Sequence, residues 1–260
     1  AKAKGEIYKD LRNNGTAVIN IDEPHAQVWI KSTNAKVITF SAHNIQADFS
    51  AQNITSKKEG HFNFSLVTPQ GTIQINLPLR GKHNITNAIA SAACAHTAGA
   101  KLQTIKDGLN NLTQVEGRME CTKLSPDLFL IDDSYNASPG SVKAAIDTLI
   151  EINGVSILVL GDMAELGQDE IQLHADIGKY AFDAGVDIFL AVGPLSFYAA
   201  KAFGVKSQHF NEKKELLNYL DDSKILNEDL PDIKKVILVK GSRFMGMEDI
   251  SDLIKNQGVK

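Results

Sequence analysis

The hydrophobic rhythm of the chain changes twice, and the changes divide it. Residues 2–12 carry apolar positions at helical spacing and lead through the turn signal Asn13-Asn14-Gly15 into an apolar strand at 16–21. A second helical stretch at 24–31 precedes a strand at 36–40. The period then falls from 3.6 to 2. Segments 45–55, 60–68 and 71–79 alternate and are rich in Ile, Phe, Val and Thr, with Gly60 and Pro69-Gln70-Gly71 as turns, a pattern that predicts an antiparallel meander. Two helices follow at 83–98 and 102–113, the first dense in Ala and Ile and closing at Gly99.

From about residue 117 strands and helices alternate. The strands are expected at 118–124, 128–132, 155–160, 187–192, 206–210 and 235–240, and the helices at 139–151, 169–184, 195–203, 212–221 and 247–256. This alternation predicts an α/β fold whose second part is a doubly wound, mostly parallel sheet of Rossmann type. Two domains are expected, 1–115 and 116–260. They join at Val115-Glu116-Gly117-Arg118, where the glycine gives the backbone freedom to hinge.

Composition narrows the class. The chain has 260 residues, 43% hydrophobic and 22% charged, which suits one or two ordinary cores. A net charge of −4 gives no basic field for nucleic acid. Cys94 and Cys121 make neither a disulfide framework nor a metal spacing, and two reduced thiols in a cytoplasmic protein are expected. No apolar run approaches the ~20 residues of a membrane span, and no signal peptide opens the chain. The chain starts without Met on an uncapped helical pattern, so a piece of a longer protein is expected.

The chemistry-bearing residues gather at strand ends. Ile131 leads into Asp132-Asp133-Ser134-Tyr135-Asn136, Leu160 into Gly161-Asp162, Val192 into Gly193-Pro194, and Val239 into Lys240-Gly241-Ser242-Arg243. In a parallel sheet these loops emerge on one edge, the edge where open α/β sheets bind ligands. Carboxylates, a lysine, an arginine and glycines together suit a phosphate or carboxylate ligand with a bound cation, although Asp and Gly at strand ends also serve as turn formers and caps. Asp132 and Asp133 are neighbours on a strand and point to opposite faces. One is expected to reach a nucleotide or metal while the other caps the helix from Ser138.

Two further places stand out. Asn84 and Asn87 lie three apart in the first turn of an alanine-rich helix, where paired carboxamides can read a base or ribose, or can cap the helix. Arg118 follows the hinge glycine. Its guanidinium can clamp a phosphate when domains close, or pair on the surface with Glu116 or Glu120.

Six stretches, in order along nearly the whole chain, resemble the Mur ligases. They are Ala1-Lys2-Ala3-Lys4-Gly5-Glu6-Ile7, Gly81-Lys82-His83-Asn84-Ile85-Thr86-Asn87, Gly117-Arg118-Met119-Glu120, Asp132-Asp133-Ser134-Tyr135-Asn136, Gly161-Asp162-Met163-Ala164-Glu165-Leu166-Gly167 and Lys240-Gly241-Ser242-Arg243. The fifth and sixth are similar to the branch of that family that adds D-alanyl-D-alanine to UDP-MurNAc-tripeptide in peptidoglycan synthesis. The resemblance implies ATP and Mg2+, an acyl-phosphate intermediate and a monomeric enzyme.

By that resemblance Asn84 and Asn87 contact the adenosine end, Arg118 reaches the γ-phosphate and Asp133 holds the ribose. Tyr135 and Asn136 lie against the nucleotide, Lys4 is carbamylated and helps place magnesium, and Asp162, Ser242 and Arg243 face the dipeptide. The family's phosphate loop, Gly-x-x-x-x-Gly-Lys-Thr, does not occur in this sequence. The chain alone is therefore expected not to turn over. Ser138 also departs from the asparagine more usual in the family. Two alternatives stay open: a sister ligase such as the folate polyglutamate type, and a non-catalytic ligand-binding module.

Overall fold

The computed structural model describes residues 2–12, 14–56, 61–113, 115–222 and 234–257, with the backbone alone at 2–4 and 222. The chain divides into two units, Ala1–Thr113 and Gln114–Lys260.

The first unit runs α1 (Lys2–Lys9), β1 (Thr16–Asn20), α2 (Ala26–Ser32), β2 (Lys36–Ser41), β3 (Phe49–Ser56), β4 (Phe62–Thr68), β5 (Gly71–Leu77), α3 (His83–Thr97) and α4 (Leu102–Asn110). The strands form one sheet in chain order, parallel from β1 to β3 and antiparallel from β3 to β5. The meander is present as expected; the Gly60 turn lies outside the described residues. The period-2 pattern does not show β3's second partner: β3 also pairs in parallel with β2. Phe49, Phe64, Leu66, Ile75 and Leu77 form a core with Ile85, Ile89, Ala92 and Ala93 of α3. Burying these side chains is the main force holding the helix on the sheet. Helices α1 and α4 stop three residues short of the ends expected from their patterns, at Lys9 and Asn110. At the second end Asn111 Nδ2 donates to Asp107 O at 2.8 Å, which satisfies a carbonyl of the last turn.

The second unit runs β6 (Glu120–Ser125), β7 (Leu128–Asp133), α5 (Pro139–Ile150), β8 (Val155–Gly161), α6 (Glu170–Ala184), β9 (Ile188–Val192), α7 (Ser196–Phe203), β10 (Ser207–Phe210), α8 (Lys213–Asp222), β11 (Lys235–Lys240) and α9 (Glu248–Gln257). Its sheet has the order β10-β9-β8-β11-β7-β6, and only the β6–β7 pairing is antiparallel. The central strands β8, β9 and β11 are apolar on both faces, as strands covered on two sides must be, while the edge strands β6 and β10 are more polar. Leu158, Leu160, Val236 and Leu238 pack under Val142, Ile146 and Ile177 of α5 and α6. The intervening residues Ile157, Val159, Ile237 and Val239 pack on the other side with Leu216, Leu220, Ile250 and Ile254 of α8 and α9. Parallel pairing places Asp133, Lys240 and Leu160 at one level across three adjacent strands, so their following loops leave from one edge.

Candidate functional site

Lys240 follows the apolar run Val236–Val239 at the end of β11 and is 2% exposed, so its ammonium must find partners inside the protein. Nζ lies 2.5 Å from Asp133 Oδ2 and donates to Asn136 O at 2.7 Å. The other Asp133 oxygen accepts from Met119 N at 3.1 Å. Asp133 is thereby held from two sides.

Asp132 points the other way, as neighbours on a strand do. It accepts from Ser134 N at 3.2 Å and from Lys255 Nζ at 3.0 Å, and Lys255 also reaches Glu120 at 3.4 Å. Burial pulls the Lys255 ammonium down, but Asp132 and Glu120 outweigh it and hold its pKa above the usual lysine value. The expectation that one of these two carboxylates caps the next helix is corrected. Ser138 caps α5, accepting from Ser141 N at 3.4 Å while Ser138 N donates to Ser141 Oγ at 2.9 Å.

Outside this buried pair lies a cationic, aromatic surface. The Arg118 guanidinium sits 4.0 Å from the Tyr135 ring centroid, and that of Arg243 lies 5.5 Å from the same ring. Tyr135 N donates to Gly117 O at 3.0 Å, which ties the ring's loop to the segment carrying Arg118. Gly117 is required there. Its φ is +67°, and a Cβ would come within 3.1 Å of Ser134 Oγ. Arg243 Nη1 also pairs with Glu248 Oε1 at 3.0 Å. Two guanidiniums beside an exposed ring suit an anionic ligand with a flat face.

At β8 and β11 the side chains named from the sequence turn inward. Asp162 is 2% exposed, and its Oδ1 accepts from Leu195 N at 3.1 Å and Ser196 N at 2.7 Å, which starts α7. Ser242 N donates to Asp162 O at 2.9 Å, and Ser242 Oγ accepts from Ala164 N at 2.6 Å. His174, fully buried on α6, accepts from Met163 N through Nε2 at 2.9 Å. Its Nδ1 lies 2.7 Å from Glu170 O, so the neutral ring carries its proton on Nδ1. Three successive residues, Asp162, Met163 and Ala164, are thus pinned.

In the first unit Asn87 Nδ2 donates to Asn84 Oδ1 at 3.1 Å, and Asn84 Nδ2 donates to Arg80 O at 2.7 Å. The two carboxamides meet on one helix face and leave further donor and acceptor capacity open. Lys4 belongs to α1, and its side chain lies outside the described residues.

The structure therefore gathers Arg118, Asp133, Tyr135, Asn136 and Arg243 on one edge and pairs Asn84 with Asn87, while Asp162 and Ser242 act through the loops they tie. The sequence places Lys240 among the strand-end residues but does not show its pairing with Asp133, and it does not single out His174. A lysine ending an apolar strand is a signal for the first. The second shows only as a histidine on the buried face of a helical pattern. No group of three or more His, Cys, Asp or Glu side chains among the described residues is arranged to hold a metal ion, so magnesium is given no ligand set here.

Residues 1–95 match the Mur ligase middle domain, and residues 117–243 match the Mur ligase, glutamate ligase domain. The chain is 42% identical over 259 residues to the UDP-N-acetylmuramoyl-tripeptide–D-alanyl-D-alanine ligase of Escherichia coli strain K12, across 99% of this chain and 56% of that protein. The crystal structure I of MurF from Acinetobacter baumannii superposes with a TM-score of 0.86 at 31% identity, covering 98% of this chain and 55% of that one. The MurF ligase from Thermotoga maritima in complex with ADP shares the fold, with a TM-score of 0.80 at 20% identity over 99% of this chain and 57% of that one. The chain spans about half the length of the relatives it matches.

Proposed function

The chain belongs to the Mur ligase family, and from that premise we propose that it carries the nucleotide- and amine-facing part of an ATP-dependent amide-bond ligase of peptidoglycan synthesis. The observation that carries the reading is its likeness, along nearly its whole length, to the Escherichia coli ligase. The cationic edge around Tyr135 agrees with it.

ATP transfers its γ-phosphoryl group to the terminal carboxylate of UDP-MurNAc-tripeptide, giving an acyl phosphate and ADP. The amine of D-alanyl-D-alanine attacks the acyl carbon, the adduct expels phosphate, and the attacking nitrogen loses a proton. Arg118 offers the γ-phosphate a planar, permanently charged fork. Asp133, fixed by Lys240 and Met119 N, faces the ribose hydroxyls. Tyr135 and Asn136 lie against the nucleotide, and Asn84 and Asn87 face the adenosine end. Arg243 faces the dipeptide, and Asp162 and Ser242 hold the loops that line it. Lys4, as a carbamate, would help hold magnesium, which would neutralise charge on the transferring phosphoryl oxygens. The protein acts in the cytoplasm as a monomer. Among the described residues no helix is long and apolar enough to cross a membrane.

The test is phosphate release from ATP in the presence of UDP-MurNAc-tripeptide, with and without D-alanyl-D-alanine. The 260-residue chain is run beside a version extended upstream through a phosphate loop. Release by the longer version alone, dependent on the dipeptide, is the expected result. A longer version that accepts a single amino acid and ignores the dipeptide moves the assignment to a sister ligase. Full activity in the short chain refutes the need for the loop.

A further inference from the structure

Strand β7 ends in two adjacent carboxylates, and a lysine meets each of them on opposite faces of the sheet. Asp133 is held by Lys240. Asp132 stands in register with Glu120 across the antiparallel β6–β7 pair, so two carboxylates face each other directly, an arrangement that repels unless a cation lies between them. Lys255 of α9 is that cation. Its Nζ lies 3.0 Å from Asp132 Oδ2 and 3.4 Å from Glu120 Oε2. Asp132 keeps only 3% of its side-chain surface exposed, so water screens the repulsion poorly there.

One residue before Glu120 the backbone is strained. Met119 has a φ of +53°, in the left-handed region that a non-glycine residue adopts at a cost. Two contacts hold it there: its side chain is buried in the core with Ile131 and Val142, and its N–H donates to Asp133 Oδ1 at 3.1 Å. Gly117, also left-handed at +67°, accepts from Tyr135 N at 3.0 Å through its carbonyl. Arg118 is the single residue between these two positions, and its guanidinium lies 4.0 Å from the Tyr135 ring centroid. Where Arg118 points therefore depends on how β6 meets the end of β7, and that junction carries the Glu120–Asp132 repulsion. If β6 draws back from Asp132, the Met119–Asp133 bond one residue away stretches next. The strained backbone then relaxes, and Arg118 leaves the ring.

We propose that Lys255 is a positioning residue for Arg118: by bridging Glu120 and Asp132 it keeps β6 against β7 and so holds the guanidinium at Tyr135. Lys255 acts through the two carboxylates and Met119, not by contact with the nucleotide. The consequence for catalysis, that a displaced Arg118 no longer meets the γ-phosphate, rests on the ligase reading.

The experiment reads Arg118 in the 260-residue chain by NMR. Side-chain protons over an aromatic ring resonate upfield. Tyr135→Leu gives their unshifted position, and Arg243, on the same ring from another loop, is the internal reference. Lys255→Met is expected to move the Arg118 protons most of the way to the unshifted position. Lys255→Arg, which keeps the cation, is expected to hold them in place. Adding Glu120→Gln to Lys255→Met removes the repulsion and is expected to bring them back. Thermal melts confirm that each variant folds, and Lys255→Gln, expected to give a smaller displacement, serves where Lys255→Met does not. In the version extended upstream through a phosphate loop, Lys255→Met is expected to lower kcat about tenfold, the effect of one lost charge-assisted contact, with the KM for D-alanyl-D-alanine unchanged. Glu120→Gln is expected to restore that kcat as well. Unmoved Arg118 protons in Lys255→Met overturn the inference and leave the ligase reading standing. A double variant displaced as far as the single one overturns it too, because repulsion is then not the cause. Displaced protons with an unchanged kcat overturn the catalytic consequence. Displaced protons beside a native longer version that releases no phosphate keep the positioning role and overturn the ligase reading.

Discussion

Lys240 Nζ stands 2.5 Å from Asp133 Oδ2, and the two side chains keep only 3% and 13% of their surface exposed. A pair this deep gives up hydration on both sides. Its net stabilisation is therefore modest, yet removing one partner strands the other. Lys240→Met is expected to destabilise the chain by about 3–5 kcal/mol, read from urea unfolding, because Asp133 keeps its charge without a cation. Adding Asp133→Asn to that variant is expected to recover a large part of the loss. Equal losses in the single and double variants refute the view that a stranded carboxylate is the cause.

The backbone of Glu165 makes a prediction of opposite sign. Glycine adopts a φ of +60° with no Cβ penalty, so Glu165→Gly is expected to raise stability by about 0.5–1 kcal/mol despite its greater chain entropy. Glu165→Ala keeps the Cβ and is expected to give no such gain. A glycine variant no more stable than the alanine variant shows that the conformation is not strained.

Period and punctuation made the layers readable. The alternating 49–77 region and the strand–helix sequence after 117 each expose which side chains must be buried, and burial leaves few arrangements. Loops following parallel strands could likewise be assigned to one edge, which is why Asp133, Tyr135 and Arg243 were expected together there. Side-chain direction was not. Asp162 sits in a ligand-binding position by every local sign, but its partners are amides 33 and 34 residues further on, supplied by packing β9 beside β8. His174 is hidden for the same reason, its partner being a backbone N–H 11 residues away. The strain at Glu165 left no trace in the sequence, because left-handed positions are inferred from glycine, and glycine is what this position lacks.

Lys255 links helix α9 to Asp132 and Glu120, and its pKa in the fold is raised above the ordinary value of 10.5 because the two carboxylates outweigh burial. A cationic group with a raised folded pKa contributes its full stabilisation below the unfolded value. The contribution fades as pH climbs past 10.5 and is gone above the folded pKa. Stability is therefore expected to fall on the alkaline side in the native chain. Lys255→Met is expected to be less stable near neutral pH and to lose less between neutral pH and that alkaline range. Parallel pH profiles for the two proteins, measured by urea unfolding, count against the assignment.

Two helical glycines, Gly178 and Gly140, separate space from propensity. At Gly178 in α6 a Cβ would lie 1.9 Å from Ala199 O and 2.7 Å from its carbonyl carbon, backbone atoms of α7 that cannot step aside. The close approach of these two helices depends on the missing side chain. Gly178→Ala is expected to cost about 3 kcal/mol or more, at the upper end of overpacking penalties, with the burden falling on the α6–α7 contact. At Gly140, in the first turn of α5, a Cβ meets nothing within 4 Å. There alanine gives up only the unfolded chain's extra freedom, and Gly140→Ala is expected to stabilise by about 0.4–1 kcal/mol. The pair is measured under one condition by thermal and urea unfolding. Shifts in opposite directions support the packing described for α6 and α7, whereas a harmless Gly178→Ala means that the two helices do not lie that close.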